Sequence, residues 1–74
     1  MNTVATSDAA SVRLIPIAEV IRLTSRGRSK IYADVRAGTF PLPIKDGSAS
    51  RWVLGEIEGW IAARVAERNT KAAA

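Results

Sequence analysis

The apolar positions of this chain fall into short periodic runs separated by stretches that cannot be regular helix. Ile17, Val20 and Leu23 recur at i, i+3 and i+6 with Glu19 and Arg22 on the other side, which predicts a packing helix over 17–24. Pro16 stands at its entrance, where a missing N–H would have had no partner. Before it, Val12 to Ile15 is a β-favouring run long enough for one brief strand that can add to a later hairpin. A second helix is predicted from Arg28, after a turn of three or four residues. Ile31 and Val35 take one side of it, Ser29, Ala33 and Arg36 the opposite side, and Lys30 and Tyr32 the flanks. Gly27 is its N-cap, without a side-chain acceptor, and Gly38 is placed to close it in the left-handed conformation.

Phe40-Pro41-Leu42-Pro43 cannot continue the helix, because each proline pushes its predecessor into extended geometry. Extended chain leads into 44–52, where Asp46-Gly47 predicts a two-residue type I′ hairpin turn. Val53, Leu54, Ile57, Trp60, Ile61 and Val65 then form one broad apolar face of a last helix over 53–68, with Glu56, Glu58, Gly59 and Ala63 outside it. Met1 to Ser11 is small and polar with no period and reads as a disordered arm; residues 69–74 read as a disordered tail. The expected domain is therefore 12–68, an α+β unit of three helices, a two-stranded hairpin and a short N-terminal strand.

Composition sharpens this picture. Eleven basic against seven acidic side chains give +4 over 74 residues. Residues 22–36 hold Arg22, Arg26, Arg28, Lys30 and Arg36 against Asp34 alone, so this window by itself carries +4. The last helix carries Glu56, Glu58 and Glu67 against Arg64 and Arg68, which leaves the positive field with the middle of the chain. A polyanion is the partner this distribution points to. With no cysteine and no histidine, a disulfide framework, a thiolate zinc site and a histidine proton shuttle are excluded. Glu56 and Glu58 lie about 200° apart on a helix and cannot act as a paired acid and base. The expectation is binding without catalysis, cofactor or metal. No run approaches a membrane span, and the N-terminus lacks the pattern of a signal peptide, so a cytoplasmic, nucleoid-associated location is expected.

The order of strand, helix, turn, basic helix, Pro-rich link, hairpin and Trp-bearing helix resembles the AlpA-like family of small phage and mobile-element regulators. That family has the winged helix-turn-helix architecture of MerR-type proteins and phage excisionases. The resemblance covers about Leu14 to Arg68 and rests on IAEVIRLT at 17–24, RSKIY at 28–32, AGTFPLPIK at 37–45, RW at 51–52 and EIEGWIAAR at 56–64. It implies that Arg28, Ser29, Lys30 and Tyr32 open a recognition helix that contacts double-stranded DNA, with Arg36 later on the same helix. It also implies that Lys45 and Arg51 on the wing contact the backbone. Two departures stand out. Arg26 and Gly27 replace an apolar residue and a capping Ser, which adds a charge beside the groove; and the wing is about one residue short and has Ser48 or Ala49 where a basic residue is common.

From the residues themselves, Ser29 and Ala33 matter by being small enough for close approach, as do Ser48 and Ser50 near the wing tip. Lys30 either reaches DNA or pairs with Asp34 four residues on; Tyr32 either donates to phosphate or covers the edge of the core. Trp52 and Trp60 read as core anchors, the alternative for Trp60 being a ligand-stacking platform. The resemblance implies either an excisionase, also called a recombination directionality factor, or a transcriptional regulator of an integrase gene. The excisionase would work with a tyrosine recombinase, several copies assembling head to tail on DNA. The rival from another class is a protein-interaction adaptor that recruits a recombinase or polymerase with little DNA affinity. A single-strand RNA binder would show several stacking rings where this chain offers Tyr32 alone.

Overall fold

A computed structural model describes residues 12–73, and their side chains as far as residue 70. The elements follow in the order β1 (Leu14–Pro16), α1 (Ile17–Thr24), α2 (Arg28–Ala37), β2 (Ile44–Asp46), β3 (Ala49–Val53) and α3 (Leu54–Ala73). This is the winged helix-turn-helix expected: three helices and an antiparallel sheet of order β1-β3-β2. The N-terminal strand does join the hairpin, pairing Ile15 with Trp52 and Pro16 with Arg51. It begins two residues later than the β-favouring run, at Leu14, and ends one residue later, at Pro16. Proline is tolerated there because β1 is an edge strand.

Local chemistry sets the helix ends. Ser25 adopts φ 59 and its N–H bonds the Ile21 carbonyl, closing α1. Thr24 Oγ1 donates to the Val20 carbonyl at 2.8 Å and accepts from the Arg26 N–H at 3.3 Å, which shapes the three-residue turn. Gly38, at φ 80, ends α2 in a Schellman arrangement: its N–H bonds Val35 O, and the Thr39 N–H reaches back to Asp34 O. The end of α3 differs from expectation. It passes Arg68 and continues to Ala73 because Asn69 to Ala73 contains neither Gly nor Pro and finishes in alanines, the strongest helix formers. The expected arm, 1–11, lies outside the described residues.

Each element except β2 gives one residue to the core: Ile15, Val20, Ile31, Trp52 and Ile57, joined by Phe40 from the Pro-rich link. Phe40 is 5% exposed, so the link is more than a spacer. Trp52 donates its indole N–H to Pro41 O at 3.0 Å, and Tyr32 lies 6.0 Å from it. Trp60 is half-buried; it meets Phe40 edge-on at 4.9 Å and donates to Thr39 O at 3.0 Å. Leu23 and Val65 depart from the expected apolar faces, at 39% and 43% exposure, because the core closes before reaching either.

The hairpin has a different turn from the one predicted. Asp46 pairs with Ala49, so Gly47 and Ser48 are the two central residues and Asp46 is the last of its strand. Only Gly47, at φ 64, is left-handed, the type II′ pattern in which glycine takes the first central position.

Asp34 ties α2 to the turn before it. Arg26 Nη1 donates to Asp34 Oδ2, with the two side chains 20% and 14% exposed, and the Arg26 guanidinium also lies 5.0 Å from the Trp60 ring centre. Lys30 Nζ approaches the other carboxylate oxygen at 3.6 Å but stays 62% exposed. Two substitutions separate these contacts. Asp34→Ala strands the Arg26 charge in a largely buried site and should cost about 1–3 kcal/mol in denaturant unfolding. Lys30→Ala removes only a solvated pair and should cost below about 1 kcal/mol. Equal losses would show that Arg26 is not the structural partner. At the wing, Gly47→Val should destabilise by about 1–2 kcal/mol through backbone conformation alone, since an added Cβ meets no atom within 4 Å. A variant with native stability would remove that constraint from the turn.

Candidate nucleic-acid interface

The two faces of α2 are sharply different. Ile31 is buried and Tyr32, Asp34 and Val35 are half-buried, while Arg28, Ser29, Lys30, Ala33, Arg36 and Ala37 are exposed. Ser29, Ala33 and Arg36 fall within one arc of the helix, flanked by Arg28 on one side and Lys30 on the other. The small residues leave a shallow strip along the helix, and the long ones overhang it. Arg28 and Arg36 have no acid within ion-pair distance among the described residues, so their charge is available to an outside group. Lys30 does pair with Asp34, one of the two readings of its sequence, but the contact is solvated and easily exchanged.

The N-terminal end of α2 adds to the positive field. Gly27 supplies no side-chain cap, so the first amides of the helix are not covered by a protein oxygen from that residue. Arg22, just upstream, approaches Glu19 at 3.4 Å in a solvated surface pair. Arg26 is placed apart from the other predicted contact residues. Its guanidinium is turned toward Asp34 and Trp60, where it secures the turn and stands largely out of solvent. Helical spacing could not reveal this, because Asp34 lies eight residues away. Tyr32 packs its ring against Trp52 and so does cover the core edge, while remaining half-buried.

The wing supplies the second group of predicted residues. Lys45 is exposed and its Nζ lies 3.4 Å from Ser50 Oγ on the facing strand. Arg51 is half-buried and approaches Asp46 at 3.5 Å, a surface pair since Asp46 is 67% exposed. Ser48 occupies the second turn position at the exposed tip, and Ser50 is half-buried. The Tyr32 and Trp52 contact makes α2 and β3 neighbours, so the second helix and the wing strand share one packing junction. Two cations that sequence reading left aside, Arg64 and Arg68, stand one turn apart on α3. Their i, i+4 spacing was the available signal.

Known proteins give this arrangement a relationship. Residues 13–65 match the family described as Prophage CP4-57 regulatory protein (AlpA), a span that includes both the α2 face and the wing. An Enterobacteria phage P4 protein described as uncharacterized protein ORF88 is 34% identical over 63 residues, 84% of this chain and 72% of that one. No solved structure matches the chain. The strand, the helix pair, the hairpin and most of the matched Trp-bearing helix thus lie inside one shared span, and the chain belongs to the AlpA family of prophage regulatory proteins.

Proposed function

We propose that the chain binds double-stranded DNA as a regulator of a mobile element, either as an excisionase or as a transcriptional regulator of the integrase gene. The observation that carries this reading is the outward face of α2, where uncommitted Arg28 and Arg36 border the small Ser29 and Ala33. A helix enters the major groove when small residues permit close approach and arginines reach base edges or phosphate. Arg28, at the first helical position, takes a phosphate together with the free N-terminal amides. Arg36, further along the same face, takes a base edge or a phosphate. Lys30 and Tyr32 serve the backbone at the flanks. Lys45 and Arg51 exchange their weak surface partners for phosphate, while Ser48 and Ser50 let the wing lie close. Arg26 has its role inside the protein and is left out of the contact set.

No described helix is long and apolar enough to cross a membrane; binding to DNA would put the protein with the nucleoid. As an excisionase the protein recruits a tyrosine recombinase. Copies then bind adjacent sites head to tail and bend the duplex, elastic cost being offset by the added contacts.

Mobility shifts on duplexes tiling the attachment site and the integrase promoter, at two salt concentrations with random duplex as competitor, test this reading. Successive cooperative shifts at the attachment site identify an excisionase, and one discrete shift at the promoter a regulator. Binding no better than to random duplex at both sites overturns sequence-specific recognition. Arg28→Ala should weaken specific and random binding together and reduce the salt slope by about 1. Arg36→Ala should cost about 1–3 kcal/mol if its contact is to a base, and should then relax the preference at one position of the site.

A further inference from the structure

A second surface lies away from the α2 face and the wing. Between the end of α1 and the middle of α3 runs an open groove of about 320 Å³. Its floor is apolar, made by Leu23, Trp60, Ile61 and Val65, and its rim carries Arg64 and Arg68. Arg26 lies at its base with its charge already engaged by Asp34. No acidic residue lines it. Leu23 and Val65 keep 39% and 43% of their surface in solvent, although both lie on the apolar stripes of their helices. Of the residues assigned to DNA contact, none lines this groove.

We propose that this groove docks an acidic segment of a partner protein, one that presents a bulky aliphatic or aromatic anchor next to carboxylates. The volume is near the lower limit of ligand pockets, about 300–1,000 Å³, and suits an anchoring side chain or a small cluster of them. Trp60 is held ready for such an anchor: its indole N–H is fixed on Thr39 O, Phe40 supports its edge, and two guanidiniums lie over the ring at 5.0 and 5.3 Å. Besides its place over the Trp60 ring, Arg64 makes a solvated contact to Glu67 at 3.9 Å, and Arg68 contacts Asn69 at 2.9 and 3.2 Å. Either can turn to a carboxylate at little cost, and two guanidiniums a helical turn apart match acids spaced along a segment. Charge complementarity thus selects an acidic occupant, and the apolar floor selects protein over nucleic acid, whose phosphates would leave that floor wet. A second copy docked through the same patch would set Arg64 and Arg68 against their own equivalents, which opposes a symmetric dimer.

The test follows the isotope-labelled full chain by NMR during titration with a short synthetic peptide alternating leucine and glutamate. Peptides with glutamine or lysine in place of glutamate serve as controls. The Trp60 indole resonance and the Leu23 and Val65 amides should shift with the glutamate peptide, while the Trp52 indole and the outward face of α2 hold still. Arg64→Glu combined with Arg68→Glu should weaken this binding about tenfold or more. Both side chains are solvent-facing, so an unchanged melting temperature certifies that variant's fold. Absence of any shift, or equal binding of the glutamine peptide, overturns the proposal. Displacement of the peptide by duplex DNA would assign the groove to nucleic acid, and self-association abolished by Val65→Glu would assign it to a second copy; either result overturns it. Arg28→Ala should leave peptide binding intact, so loss of DNA binding and loss of docking are read independently.

Discussion

The indole of Trp52 is the contact on which this small domain depends. It is fully buried, it sits on the central strand of the sheet, and its N–H is satisfied by a carbonyl of the Pro-rich link. Through it β1, α2, β3 and that link are brought into register: Ile15 lies opposite it and the Tyr32 ring beside it. A chain with six buried core residues has little redundancy. A domain of this size is stable by only a few kcal/mol, about 0.05–0.15 per residue, so one aromatic of this reach decides whether the helix pair is held against the sheet. Phe40 and Trp60 add a second aromatic contact along the same link, which with buried Ile57 fastens α3.

Most of the element order was legible because its signals are local. Pro16, Gly27 and Gly38 mark helix ends by backbone chemistry that acts within one or two residues, so α1 begins and α2 begins and ends where those residues stand, while the end of α1 is set by Ser25 in the left-handed conformation. The hairpin was legible as a hairpin, but its turn was not. Asp46-Gly47 and Gly47-Ser48 are both acceptable central pairs, and the choice is made by cross-strand register, a tertiary property. The end of α3 was missed for the opposite reason: nothing in the sequence stops it before the alanines.

The surface divides in the same way. The outward set on α2 could be read from helical spacing, and the structure does leave Arg28, Ser29, Ala33 and Arg36 facing solvent. Arg26 looked like one more free cation because its acid is beyond the reach of i, i+4 counting. Its engagement by Asp34 separates charge used to build the domain from charge left to meet a partner. Phe40 was hidden by the prolines around it, which announce extended chain but say nothing about which side chain turns inward. Leu23 and Val65 show the converse, since membership of an apolar stripe does not guarantee that the stripe is covered along its whole length.

The wing shows one further consequence. Strand β2 contributes nothing to the core; all three of its residues are exposed, and Leu42 before it is 68% exposed. The stretch from Leu42 to Ser48 is therefore a module attached to the domain by the pairing of β2 with β3. Its length and composition can drift over generations while the buried set is preserved, because few of those changes reach a packed atom. Substitutions there can alter what the wing presents without first drawing on spare stability.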